Sequence, residues 1–303
     1  MLRRVQCGDL LRCTMQLIWQ ADVSTSALHA AEAVARGQTL ADAALADAIG
    51  PAAAALAAEI RVAGLPEARA WRNLTALAGQ FPNNRLLAER TLVKTQGGTP
   101  SAQMIADLAG RIEDVEAAVN RLQPRLREDL ALRERPIREQ WEARGPGLLH
   151  QFARLTEPKL LVETATVILV HPALGGGGEA HLAQNAVRFE ALLANPQPQL
   201  PEFVRLGWYL AQLNCDLPDN AEKIPADRLP QAVRLAMLPP LLAAANELEA
   251  APEDALELAL ATWRIESPPG VELPTLLRQW WSVYQDGRPP FAVALTALDR
   301  MLG

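Results

Sequence analysis

One stretch limits what this chain can fold into more than any other. Residues 161–174 are mostly apolar, and within them Val162, Thr164, Thr166, Val167, Ile168 and Val170 are β-branched. That density favours a strand over residues 162–170. The run then meets four consecutive glycines, Gly175 to Gly178. Beyond them, Val187, Phe189, Ala191 and Leu193 alternate with Arg188, Glu190 and Leu192, which suits a second strand better than a helix. Asn195-Pro196-Gln197-Pro198 reads as a loop, and Pro201 opens an amphipathic helix that runs to Leu213. Strand, glycine loop, strand and helix make residues 160–214 the architectural centre.

What surrounds this centre is helical. Alanine, the best helix former, is abundant, and aromatic residues are only 5% of the chain, so helices rather than a large sheet are expected. Residues 10–19 fit either a strand or a helix and lean towards helix through Leu10, Leu11, Met15 and Ile18. Ser24 or Ser26 caps a helix closed by Gly37. Thr39 caps a second that ends at Gly50, and Pro51 starts a third that ends near Gly64. Pro66 opens a fourth, and Asn83-Asn84 precedes a fifth.

The next helix, capped by Thr99 or Ser101, places Ile105, Leu108, Ile112, Val115, Val119, Leu122 and Leu126 at alternating steps of three and four. This heptad seam over residues 105–126 suits an antiparallel hairpin with the following helix, or self-association as a coiled coil. Pro124 ends or kinks it at Leu122 or Gln123. Arg135–Glu139 and Arg138–Glu142 have the i,i+4 spacing of helical ion pairs.

Gly145-Pro146-Gly147 reads as a firm helix break. Of the 23 prolines, 17 lie at or after Pro146, and 10 of the 14 Phe, Trp and Tyr residues lie beyond it. Two domains follow from that shift: residues 1–144, Ala-rich and helical, and residues 145–303, α+β with the glycine loop. The fold class expected is therefore mostly α with a small β element, a short sheet wrapped by helices.

Net charge is −6, which gives no overall attraction to nucleic acid or to an anionic membrane surface. No signal-peptide pattern opens the chain, and no apolar window approaches the ~20 residues of a transmembrane helix, so a cytoplasmic location is expected. The cysteines, Cys7, Cys13 and Cys215, fit no zinc-knuckle spacing and read as reduced structural thiols.

The residues that might carry chemistry gather at the glycine loop. Gly175, Gly177 and Ala180 have a dinucleotide-loop spacing, with Glu190 as an acidic residue further on. That fingerprint requires a helix at the glycines, where a strand is expected instead. No Lys-Ser or Lys-Thr follows, which excludes an ordinary phosphate-cradling loop, and no cofactor motif is present. His171, Glu179 and His181 flank the loop as candidate ligands, since imidazole and carboxylate suit a divalent metal. His29 and His150 stand among apolar residues and read as structural. Trp280, Trp281 and Tyr284 share one helix, where two adjacent rings cannot face the same core, so this is a candidate partner surface.

The order strand, glycine loop, strand, Leu200-Pro201 and amphipathic helix resembles the centre of the zincin metallopeptidases. That resemblance implies a zinc helix with His-Glu-x-x-His, two imidazole ligands and a general-base carboxylate. Laid on this sequence, the ligand positions fall at Leu206 and Leu210 and the base at Gly207, none of which can act. The resemblance therefore implies a degenerate, non-catalytic frame. A non-catalytic interaction or scaffold protein is the leading expectation. The competing one is a metal-dependent hydrolase built around residues 175–178 with His171, Glu179 and His181.

Overall fold

The computed structural model describes residues 15–81, 83–193, 195, 197–218 and 222–303. Four strands form one sheet: β1 (Gln16–Ala21), β2 (Thr164–Val170), β3 (Gly178–His181) and β4 (Ala186–Glu190), in the order β1-β2-β4-β3. β1, β2 and β4 run parallel, and β3 lies antiparallel on β4 at the far edge. The expected strands at 162–170 and 185–193 are β2 and β4. β3 begins inside the glycine run. At Gly178 a Cβ would sit 2.7 Å from the Arg188 carbonyl oxygen and 2.9 Å from the Tyr209 ring, so only glycine lets β3 pass.

β1 corrects the helical leaning for residues 10–19 over its described part. Its apolar spacing fits both periods, and pairing with the buried β2 decides for the strand. The remainder, with Cys7 and Cys13, lies outside the described residues. Cys215 is a buried free thiol, and burial pushes its pKa up.

Six helices separate β1 from β2: α1 (Val23–Ala35), α2 (Ala43–Val62), α3 (Glu67–Leu77), α4 (Asn84–Gln96), α5 (Ala102–Leu122) and α6 (Leu126–Leu155). Asp22, Asp42, Asn83 and Ser101 cap α1, α2, α4 and α5 through their side chains. After β4 come α7 (Glu202–Leu210), α8 (Leu229–Ala236), α9 (Leu238–Glu247), α10 (Ala255–Thr262), α11 (Leu273–Gly287) and α12 (Phe291–Leu302). Of the described residues 64% are helical and 8% lie in strands, so the mostly α fold with a small β element stands.

Two expected breaks are absent. Gly50-Pro51 lies inside α2, whose cap is Asp42 rather than Thr39. As one 20-residue helix, α2 is long and apolar enough to cross a membrane by length and composition, against the expectation that no window comes close. In the fold its Leu45, Ile49, Leu56 and Ile60 are buried among the N-terminal helices.

Gly145-Pro146-Gly147 likewise lies inside α6, as does Pro136. An interior proline costs about 3 kcal/mol, whereas each buried large apolar side chain contributes about 1.5–3 kcal/mol. Trp141, Leu148, Leu149 and Phe152 on the same helix are all buried, so packing outweighs the breakers. The compositional shift at 144/145 thus falls within one helix, and β1 from the N-terminal part is an edge strand of the sheet.

The hydrophobic interior divides inside α6 as well. Leu126 and Leu130 join a core built from α1 to α5, and from Ile137 onwards α6 faces a second core with α7 to α12. The heptad residues Ile105, Leu108, Ile112, Val115 and Val119 are buried in the first core, where α5 packs mainly on α2 and α4. Their apolar edge is consumed within the chain. α5 ends at Leu122, before Pro124 as expected.

The sheet has two unlike faces. Ala165, Val167, Leu169, Val187 and Phe189 point towards α6 and α7 and belong to the second core. By the two-residue period of a strand, Ile168, Val170, Arg188 and Glu190 point the other way, towards α1 and α3. That second face carries charge.

Gly145 and Gly110 offer a stability test of this packing. A Cβ at Gly145 would come within 2.4 Å of the Trp141 ring, while one at Gly110 on the exposed side of α5 would meet nothing within 4 Å. Gly145→Ala is expected to destabilise by about 1–3 kcal/mol through overpacking. Gly110→Ala should stabilise by about 0.5–1 kcal/mol through helix propensity. Urea midpoints of the two variants check this, and equal shifts would refute the placement of Trp141.

Candidate functional site: the glycine loop and its buried charges

The loop that leaves β2 turns through Gly175 at φ +76° and Gly176 at φ +136°, backbone states that L side chains rarely adopt. These turns aim successive N–H groups inwards. The Leu174 N–H donates to Glu190 Oε1 at 2.6 Å, and the Gly176 and Gly177 N–H groups donate to Oε2 at 2.6 and 2.7 Å. His29 on α1 completes the site, its Nε2 lying 2.7 Å from Oε1. Such a concave set of amides is an anion nest, here filled by a side chain of the same molecule. Burial alone would push Glu190 up; the His29 hydrogen bond and charge and the loop amides outweigh it and hold the carboxyl at about 2.

The loop's carbonyl oxygens are gathered by a cation. Arg205, fully buried on α7, donates from one nitrogen to the Gly176 and Gly177 carbonyls at 2.5 and 2.8 Å. The other donates to the Glu190 carbonyl at 2.9 Å and pairs with the Glu202 carboxylate. The guanidinium lies 4.0 Å from the centre of the Phe189 ring, which covers its apolar face. Glu190 and Arg205 therefore fix the loop from its donor and acceptor sides.

A second network adjoins the first on the charged sheet face. Arg188 on β4 reaches Glu32 on α1 at 2.7 Å and Glu179 on β3 at 2.9 Å. Arg36 meets Glu32 at 2.6 Å, and Arg72 on α3 meets Glu179 at 3.3 Å. Burial raises the Glu179 carboxyl, but Arg188, His181 and Arg72 bring it down to about 2. With both arginines on it, Glu179 is a structural anion rather than a free ligand.

His171, Glu179 and His181 are not brought together as one ligand set. His171 follows Val170, which is level with Glu190 at the end of β4, whereas His181 pairs with Ala186 at the opposite end. The His171 backbone N–H donates to Ser26 Oγ at 3.1 Å, and its ring Nε2 lies 3.2 Å from the Gln123 amide. Burial and the nearby Arg133 lower its pKa. Among the described residues no group of three His, Cys, Asp or Glu is arranged to hold a metal, which corrects the expected convergence. The flexible-looking loop sends its flanks to different strand ends.

His181 is the unusual member. It is 1% exposed, and neither ring nitrogen has a hydrogen-bond partner. Burial, with Arg188 and Arg72 nearby and against the pull of Glu179, lowers its pKa to about 4.

On α7, Leu206 and Leu210 are fully buried in the second core. A Cβ at Gly207 would lie 2.7 Å from a Leu148 methyl, so a carboxylate side chain has no room there. At the C-terminal aromatic cluster, Trp280 and Tyr284 are buried, and the Trp280 indole N–H donates to the Ala294 carbonyl at 2.8 Å. They pack α11 on α12, and only Trp281, stacked 5.3 Å from the Tyr284 ring, stays partly exposed. That reduces the candidate partner surface from three residues to one.

Sequence reasoning passed over the pairs that hold the loop: His29–Glu190, Arg188–Glu32 and Arg205. A signal existed. Arg188 and Glu190 occupy alternate positions of a strand whose burial is complete, so both charges need partners across the sheet. Glu202 and Arg205 stand at i,i+3 on a helix that is otherwise apolar. No protein-family model, curated protein sequence or solved structure matches this chain.

Two predictions follow from this chemistry. Glu190→Ala leaves three loop amides and His29 without their anion and should destabilise by about 3–5 kcal/mol. Acetate at about 0.1 M should return part of the lost thermal stability by refilling the nest. Chloride at equal ionic strength should not, and equal effects of the two salts would refute an anion nest.

For His181, the unfolded imidazole binds a proton near pH 6.5 and the folded one only near 4. The unfolded state therefore holds more protons between these values, so stability is full above about 6.5 and falls as pH drops towards 4. From pH 7 to 5 the expected loss through this residue is about 2 kcal/mol. Urea unfolding of wild type and His181→Leu at both pH values checks it; identical losses in the two proteins would discard the assignment.

Proposed function

We propose that this protein is a non-catalytic interaction or scaffold protein on a degenerate peptidase-like frame. The observation that carries this reading is the mutual neutralisation of the charged groups around the glycine loop. Glu190 is held by three amides and His29, the two terminal nitrogens of Arg205 by three carbonyls and Glu202, and Glu179 by Arg188 and Arg72. A general base, a nucleophile or a metal ligand needs a free lone pair facing substrate, and Glu190 and Glu179 have spent theirs on the fold. The apolar packing of Leu206, Gly207 and Leu210 supports the same reading.

Apolar side chains stand exposed beside the loop. Leu132 and Leu193 are 69% and 62% exposed, on two segments joined by the Arg133 hydrogen bond to the Ala191 carbonyl at 2.9 Å. Exposed leucines on two hydrogen-bonded segments suit docking better than turnover. The hydrolase reading has one specific observation in its favour, the two unpartnered ring nitrogens of His181.

Metal content separates the two readings. The full chain, purified without chelators and measured by plasma mass spectrometry, is expected to carry no stoichiometric zinc or other transition metal. One zinc per chain, lost in the His171→Ala, His181→Ala double variant, would overturn the scaffold reading in favour of the hydrolase.

A further inference from the structure

Among the described residues β1 is an edge strand of an unusual kind. Natural sheet edges are usually blunted by charge, proline or a bulge, because an open row of backbone groups recruits another strand. β1 reads Gln-Leu-Ile-Trp-Gln-Ala, with no charge and no proline. Among the described residues it pairs with β2 alone. Ile18 at its centre is 52% exposed.

The hydrogen-bond phase shows which groups the edge offers. The Gln16 N–H donates to the Glu163 carbonyl at 2.8 Å, and the Asp22 N–H to the Leu169 carbonyl at 3.2 Å. In a parallel ladder the even-numbered residues of β1 are therefore the ones bonded to β2. The N–H and C=O groups of Leu17, Trp19 and Ala21 consequently point away from the sheet. The strand is also close to a palindrome about Ile18, with Leu17 and Trp19 on either side and Gln16 and Gln20 beyond them.

We propose that β1 pairs antiparallel with β1 of a second copy of this chain, about a twofold axis through Ile18. A twofold there sets Leu17 opposite the second copy's Trp19, a pair whose outward backbone groups exchange both hydrogen bonds. Ile18 then meets its own copy in the close, non-hydrogen-bonded position, and Gln16 meets Gln20. Every cross-strand pair is uncharged and like with like, which is what a self-complementary isologous interface requires. The two sheets join into one of eight strands, and both open β1 edges disappear. The occupant is a second copy rather than an unrelated peptide because the near-palindrome makes the strand self-complementary about Ile18, a centre that the phase of the outward groups permits. This inference does not depend on the scaffold reading.

Sedimentation of the full chain tests it first. The mass is expected to rise from 32.9 kDa towards twice that as concentration increases over about 1–100 µM. Ile18→Lys should return it to a single chain with unchanged circular dichroism, since the side chain is half exposed in the monomer.

Register is tested by cysteine cross-linking in a Cys7→Ser, Cys13→Ser background. Ile18→Cys places two thiols on α-carbons about 4.5 Å apart, within disulfide reach. Gln16→Cys places its two copies about 13 Å apart, beyond it. Covalent dimer should form at least about ten times faster for Ile18→Cys under mild oxidation. A single-chain mass at every concentration, a dimer that survives Ile18→Lys, or equal cross-linking of the two cysteine variants would each overturn the proposal. Metal content bears on none of these outcomes, so the test stands apart from that of the proposed function.

Discussion

The carboxylate of Glu190 is buried completely, and the geometry of the central part of the fold depends on its being satisfied there. An ionised carboxylate removed from water costs several kcal/mol unless charge and hydrogen bonds return the loss. Three loop amides and His29 do so, from a loop that reaches across the end of the sheet and a helix that packs on its face. The same residue's carbonyl accepts from Arg205 on the opposite side. One residue of β4 thereby ties together α1, the glycine loop and α7. α1 lies over 100 residues before the other two in sequence, and apolar contact alone would leave their relative positions less sharply specified.

The sheet's two faces divide the work of stability and specificity. Towards α6 and α7 it presents aliphatic and aromatic side chains, and that burial supplies non-directional stabilisation. Towards α1 and α3 it presents Arg188, Glu190 and Glu179, whose partners are fixed in direction, and beside them His181. A shifted register would leave each charge buried without its mate, so the polar face penalises wrong pairings more than it stabilises the right one. His181 is the weak point of that layer, a neutral ring with neither nitrogen paired. β1, at the sheet's other edge, has the contrary property: its outward amides have no prescribed partner among the described residues.

α6 shows how packing overrules local signals. Its 30 residues contain Pro136, Gly145, Pro146 and Gly147, and by propensity it should be at least two helices. It persists because both cores close on it, the first through Leu126 and Leu130 and the second through Trp141, Leu148 and Phe152. Gly145 is retained because the Trp141 ring lies against it, a reason for glycine that has nothing to do with chain flexibility. The Gly50-Pro51 pair inside α2 follows the same logic, with buried residues on both sides of it.

Much of the secondary structure was legible in the sequence because its causes are local. β-branched residues made β2, alternation made β4, Pro66, Asn83, Ser101 and Pro201 marked helix starts, and Pro124 stopped α5, whereas Asp22 and Asp42, not Ser24, Ser26 or Thr39, cap α1 and α2. The absence of a His-Glu-x-x-His helix was equally plain from Leu206, Gly207 and Leu210. What the sequence left open were matters that depend on residues far apart in the chain. The 10–19 region could satisfy either period, and only pairing with β2 made β1 a strand. Glu190 read only as the acidic residue of a dinucleotide-loop spacing until α1 brought His29 to it, and the role of Arg205 emerged only with the loop carbonyls it binds. His171, Glu179 and His181 lie within eleven residues of one another, yet the turn at the glycines sends them to different ends of the sheet. Composition and spacing determined the elements. The pairing of charges, which needs partners at a fixed distance and direction in a low-dielectric interior, was decided only by the tertiary structure.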